Sequence, residues 1–173
     1  MPTSFQAPRK RETESRRSYS QSVETNLANE PSTVRSVLDR KGRQVHSIRP
    51  EATLAVAVRI LRDKGIGALL VIDENDRVQG ILSERDIVRK LAETPGQTLP
   101  QSVAENMTRV LEMCGPDDEL VSVLRRMSEG RFRHMPVIED GDLCGVVTIG
   151  DVVNFRLSQL EHEALQMKQM IVG

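Results

Sequence analysis

Two pairs of oxygen-bearing side chains stand at matching spacing in this 173-residue chain: Ser83 with Asp86, and Thr148 with Asp151. Each pair follows a glycine and two aliphatic residues, as Gly80-Ile81-Leu82-Ser83-x-x-Asp86 and Gly145-Val146-Val147-Thr148-x-x-Asp151. An aliphatic run that stops at Ser or Thr with an acid three residues on marks a strand that ends where a helix begins. One chemistry is purely structural. The hydroxyl caps the helix and the acid reaches back, as in a capping box with Asp in the usual place of Glu or Gln. The other is recognition. A helix start offers unpaired N–H groups and a positive dipole end to an anion such as phosphate. The hydroxyl can donate to that phosphate, and the carboxylate can accept from both hydroxyls of a ribose. The glycine would allow close backbone approach. One residue can do both jobs, and two copies at equivalent places favour the recognition reading.

The elements that position these pairs are themselves repeated. Pro50-Glu51-Ala52-Thr53-Leu54 matches Pro116-Asp117-Asp118-Glu119-Leu120 at an offset of 66 residues. Leu70-Val71-Ile72-Asp73 matches Pro136-Val137-Ile138-Glu139 at the same offset, which becomes 65 beyond the following turn. Each copy reads alike. A short extended segment (residues 45–48 and 111–114) precedes an acidic helix start. Leu54, Val58 and Leu61, and then Leu120, Leu124 and Met127, recur at helical spacing. Residues 68–72 and 135–138 are short, largely β-branched or aliphatic strands. Residues 73–77 and 139–142 are turns. A second strand then leads to Ser83 or Thr148 and a last helix. The order β-α-β-β-α, used twice, predicts an α/β fold of two units packed into one module.

Composition agrees and excludes other classes. Twenty-four basic and 25 acidic residues leave a net charge of -1, which speaks against nucleic acid or membrane as a partner. With no Trp, one Tyr and three Phe, the core must be aliphatic. Cys114 and Cys144 fit buried free thiols in a reducing cytoplasm better than a disulfide. Two cysteines and three scattered histidines give no metal-spaced set. The chain divides at residues 31/32, 95/96 and 157/158. Residues 1–31 read as a disordered tail rich in Ser, Thr, Gln, Arg and Glu, residues 32–95 and 96–157 as the repeats, and 158–173 as a helical extension. On the last helix Val153, Leu157, Leu160, Ala164, Met167 and Ile171 form a near-heptad stripe, suited to packing on its own module or on a dimer mate.

The doubled G-h-h-S/T-x-x-D pattern and the segment Gly130-Arg131-Phe132-Arg133-His134-Met135-Pro136-Val137 resemble the cystathionine-β-synthase (CBS) domain family. The resemblance runs from about Ser32 to Leu157. It implies two β-α-β-β-α domains paired with pseudo-twofold symmetry into a Bateman module. It also implies clefts for adenosyl ligands: AMP foremost, then ADP, ATP, dinucleotides such as NAD(H), or S-adenosylmethionine. By position, Asp86 and Asp151 would each hold a ribose, with Ser83 and Thr148 near the phosphate or the ribose. Arg133 and His134 match phosphate-contacting positions, whereas their counterparts Gly67 and Ala68 carry no charge. Arg85 would supply the cation in the first repeat, where the second has Gly150. Adenine would lie near His46, Ile66 and Gly67 for the Asp151 site, and near Glu112, Phe132 and Arg133 for the Asp86 site. The two sites should therefore differ.

No nucleophile or metal set surrounds His134, and the repeat keeps Asp86 and Asp151 in separate clefts, so paired acid–base catalysis is not expected. Phe132 suits a stacked base and core packing equally. The expectation is a cytoplasmic regulatory module, homodimeric, without catalysis or a required metal, acting by ligand-driven conformational change or through a separate effector protein. The rival is an interaction module with vestigial clefts that serves assembly.

Overall fold

The computed structural model describes residues 32–109 and 112–173. The expected N-terminal tail, with its Arg9-Lys10-Arg11 cluster, and part of the expected extended segment at 111–114 lie outside the described residues. The elements run α1 (Val34–Lys41), β1 (Ser47–Ile48), α2 (Leu54–Lys64), β2 (Ala68–Ile72), β3 (Val78–Ser83), α3 (Glu84–Glu93) and α4 (Val103–Asn106). They continue with β4 (Thr108–Arg109), α5 (Leu120–Gly130), β5 (His134–Glu139), β6 (Asp142–Thr148) and α6 (Ile149–Val172).

The first repeat has the predicted order as β1-α2-β2-β3-α3, and the second has α5-β5-β6-α6 with a single bridge in place of its first strand; α1 and α4 stand outside the predicted order. The first sheet is β1-β2-β3-β4, with β1 parallel to β2 and antiparallel pairing thereafter. In the second repeat β5 and β6 form an antiparallel hairpin, and Cys114 bridges in parallel to Val137 where the first repeat has β1. The offset changes between the hairpin strands. The first hairpin closes through Asp73, whose carboxylate accepts from the N–H groups of Asn75 and Arg77, with Asp76 at φ 58. The second closes through Asp140 and Gly141, at φ 52 and 87, the two left-handed residues of a tight hairpin turn.

Packing cuts across the sequence repeats. One core gathers Leu120, Val123, Met127, Met135, Val137, Val147 and Val152 of the second repeat, yet Val34, Val37 and Leu38 of α1 complete it. The other gathers Ile48, Leu54, Ala57, Leu61, Leu69, Val71 and Leu82 of the first repeat, and Val103 of α4 completes it. Hydrogen bonds show the same exchange twice. Val34 and Arg35 N–H donate to the carbonyls of Asp118 and Pro116, and Leu120 N–H donates to Ser32. Correspondingly, Val103 and Ala104 donate to Ala52 and Pro50, and Leu54 donates to Gln101. Leading segment and core are thus swapped about a pseudo-twofold axis.

The motif glycines belong to this exchange. A Cβ on Gly80 would lie 2.6 Å from the Thr108 carbonyl oxygen and 2.9 Å from Met107 Sδ. A Cβ on Gly145 would lie 2.8 Å from Leu38 Cδ2. The close approach that these glycines permit is of the swapped segment, where the sequence suggested a ligand. Both cysteines are free thiols, Cys114 buried as expected and Cys144 only partly so. Among the described residues no helix is long and apolar enough to cross a membrane.

Candidate functional site

Both Ser83 and Thr148 end a strand and cap a helix, and both capping boxes are complete. Asp86 N–H donates to Ser83 Oγ, while Asp86 Oδ2 accepts from Ser83 N–H at 2.9 Å and from its hydroxyl at 2.6 Å. Thr148 N–H donates to Asp151 Oδ2 at 2.9 Å, and Asp151 N–H to Thr148 Oγ1 at 3.1 Å. The first N–H of each helix is taken as well, by the Gly67 carbonyl for α3 and the Arg133 carbonyl for α6. Two of the first three helical N–H groups are therefore satisfied internally, and the Ser83 hydroxyl proton is engaged by Asp86. The helix ends are less open to an anion than the motif alone suggests. The cations must come from side chains.

They do so at the first repeat. A cleft of about 440 Å³ is lined by Ser83, Arg85 and Asp86 from the start of α3 and by Phe132, Arg133 and His134 from the approach to β5. Glu112 lines it too, as does Gly67, which the resemblance assigned to the Asp151 site. Eight of the residues singled out in the sequence thus meet in one cleft, with Arg133 and His134 beside Arg85 where the sequence divided these basic residues between two clefts. The sequence reading missed Arg89, Arg109 and Arg131, which also line it. Arg89 stands one turn after Arg85 on α3 and was legible as an i, i+4 pair. Arg109 enters through the swapped β4 with no sequence signal, while Arg131, which lies within the segment that carries the resemblance, enters through a left-handed residue at the end of α5, at φ 55. Ion pairs among the described residues engage Arg35, Arg43, Arg49, Arg62 and Arg126 and none of the five cleft arginines. Glu112 lies 3.9 Å from an Arg126 nitrogen, which offsets part of its charge.

Phe132 is partly buried against the second core, and its ring fills the space that a Cβ on Gly130 would need. Ile66 packs against the first core, and the His46 carbonyl accepts from Leu70 N–H. Neither His46 nor Ile66 lines the Asp86 cleft.

The second repeat differs. Lys41, at the end of the swapped α1, places Nζ 2.6 Å from Asp151 Oδ2. Burial raises the Asp151 pKa, but the hydrogen bonds from Lys41 and Thr148 outweigh it and hold the carboxyl below its ordinary value. His134 stands between the two sites. Burial pushes its pKa down, and it feels Asp151 and Asp86 on one side of the balance and Lys41 and Arg133 on the other. Among the described residues no group of His, Cys, Asp and Glu is arranged to hold a metal ion.

The CBS domain model matches residues 34–93 and 102–158. The crystal structure of a CBS-domain-containing protein from Agrobacterium tumefaciens is similar at a TM-score of 0.70 and 39% identity, over 72% of this chain and 99% of that one. A 17.7 kDa protein of Acidianus ambivalens is 34% identical over 110 residues, 63% of this chain and 65% of its own length. In a Thermofilum pendens relative the match covers 33% of that protein. The CBS domain pair of a protein solved with 5′-methylthioadenosine and S-adenosyl-L-methionine shares the fold, at a TM-score of 0.66 and 24% identity over 75% of this chain and 99% of that one. With two matched repeats, two complete capping boxes and a shared pair architecture, the chain belongs to the CBS-domain family as a tandem pair.

Proposed function

We propose that this CBS pair is a cytoplasmic regulatory sensor without catalysis of its own, and that its Asp86 cleft binds an adenine nucleotide. The observation that carries the reading is the convergence, on one capped carboxylate, of five arginines that have no ion-pair partner among the described residues. Against Glu84, Asp86 and Glu112, the five leave a surplus of two positive charges with His134 neutral, which matches a monophosphate dianion such as AMP. Asp86 Oδ1 is the oxygen left over from the capping box, free to accept from ribose hydroxyls. Phe132 and Gly67 offer an apolar face and open space for the base. ADP, ATP and NAD(H) carry the same recognition elements. Binding shifts the module only so far as the ligand prefers one of its conformations.

For the Asp151 side, Lys41 favours a second reading. Its acid is already neutralised from within the chain, which leaves that side without the open carboxylate of its twin.

Calorimetric titration of AMP, ADP, ATP, NAD⁺ and NADH into the protein tests the proposal. We expect at least one of them to bind and Arg109→Glu to weaken it by about tenfold or more. Absence of binding by every nucleotide, or binding indifferent to Arg109→Glu, would overturn it in favour of an assembly module.

A further inference from the structure

We propose that the free part of α6 is an interface for a second copy of this chain, joined as a parallel, in-register two-stranded coiled coil. Helix α6 runs 24 residues, and among the described residues its contacts with the body lie in its first turns, through Ile149, Val152 and Phe155 and a hydrogen bond from Ser32 Oγ to Gln159. The stripe of Val153, Leu157, Leu160, Ala164, Met167 and Ile171 is exposed along its whole length, from 40% at Val153 to 83% at Ile171. At about 100° per residue, this stripe lies about 130° around the helix from the side that carries Val152 and Phe155. Beyond the first turn, where Ile149 still packs on the body from the stripe's own side, it therefore faces away from the body, and a second helix can lie along it.

The spacing alternates four and three, which puts Leu157, Ala164 and Ile171 at a positions and Val153, Leu160 and Met167 at d. The flanking charges choose the occupant. Arg156 and Glu163 fall at g, and Glu161 and Lys168 at e. In a parallel dimer each g residue meets the e residue five positions on in the other helix. Arg156 then faces Glu161 of the second copy, and Glu163 faces Lys168. Both contacts pair opposite charges. An antiparallel dimer with the same apolar layers would set Glu161 against Glu161 and Glu163 against Glu163. Among the described residues none of these four charges is engaged in an ion pair within the chain. A seam this short is marginal for free peptides, because starting a helix is costly. Here the first turns are already formed and capped by Thr148 on the folded body.

Sedimentation equilibrium of the full chain tests this. The wild type should dimerise, Glu163→Lys should weaken the dimer about tenfold or more by facing Lys168, and Glu163→Lys with Lys168→Glu should restore it. Leu160→Cys should give a disulfide-linked dimer on mild oxidation, since position 160 meets itself only in the parallel register. A wild-type monomer, a dimer indifferent to Glu163→Lys, or one tightened by it would overturn the proposal. The indifferent case would fit the antiparallel arrangement, in which the substitution only exchanges one like-charge contact for another.

Discussion

Lys41 Nζ lies 2.6 Å from Asp151 Oδ2, so the first described helix neutralises the acid of the last capping box. Both side chains keep a quarter to a third of their surface exposed, at 31% and 26%, so the pair contributes at most about 1 kcal/mol to folding. Its larger effect is to occupy a carboxylate whose twin, Asp86, is left open. Lys41→Met should therefore cost little stability in urea denaturation and should expose a second nucleotide site to calorimetry. Unchanged stoichiometry would mean that the Asp151 side is closed by more than Lys41.

Asp86 does two jobs that two substitutions separate. An asparagine keeps an amide oxygen for Ser83 N–H, whereas an alanine removes the reciprocal half of the capping box. Asp86→Asn should hold the melting temperature close to wild type yet lower nucleotide affinity by roughly ten- to hundredfold, or about 1.5–3 kcal/mol. Asp86→Ala should show the same binding loss and an added stability cost of about 1 kcal/mol. Equal affinity in the Asp86→Asn variant and the wild type would leave Asp86 as a cap alone.

The motif glycines should differ in their tolerance of a methyl group. At Gly80 the added Cβ meets a backbone carbonyl, that of Thr108, which cannot rotate away. At Gly145 it meets the end of the Leu38 side chain, which can shift. Gly80→Ala should cost about 1–3 kcal/mol, and Gly145→Ala measurably less. Chemical denaturation of both variants checks the order.

Stability should fall in two steps as the solution is acidified. His134 is held below the ordinary histidine value of 6.5, chiefly by burial. Below that pH the unfolded chain takes up a proton that the folded one resists, so stability is full above about 6.5 and declines beneath it. Asp151 is held below the ordinary value of 3.8, so its contribution persists above that pH and disappears as the pH drops through its lowered value. His134→Gln should flatten the first step only, as followed by melting temperature between about pH 5 and 7.

Much of this molecule could be read from residue order alone, because strand ends, helix starts and hairpin turns are local events. The motif from Gly80 to Asp86 announces a strand-to-helix turn, and the structure has one there. Glu112, Phe132 and Arg133 are placed beside Asp86 by the family resemblance and Arg85 by its position next to Asp86, whereas Gly67, which the resemblance assigns to the Asp151 site, lines the Asp86 cleft. What stayed hidden depends on the exchange of leading segments. Lys41 reaches Asp151 across 110 positions, and Arg109 enters the cleft only because β4 adds to the edge of β3. No periodicity marks either residue. The same exchange explains why Gly80 and Gly145 answered to a neighbouring strand and helix, where a ligand had been expected.

The swapped segments also say how such a chain can come into being. A lone repeat, cut at the joint near residue 95, would carry its own leading helix while leaving its core open to the helix of another molecule. Two identical copies would satisfy each other by trading arms, a symmetric exchange that needs few new contacts. Fusing them end to end turns that trade into an event within one chain, at a local concentration no dilution can lower. Once fused, the halves are free to diverge. Lys41 has no obligation to be matched in the first half, and Arg85 has none to be matched in the second. Inequality between the Asp86 and Asp151 sides is thus something covalent linkage permits, whereas a symmetric pair of identical chains would copy every change twice.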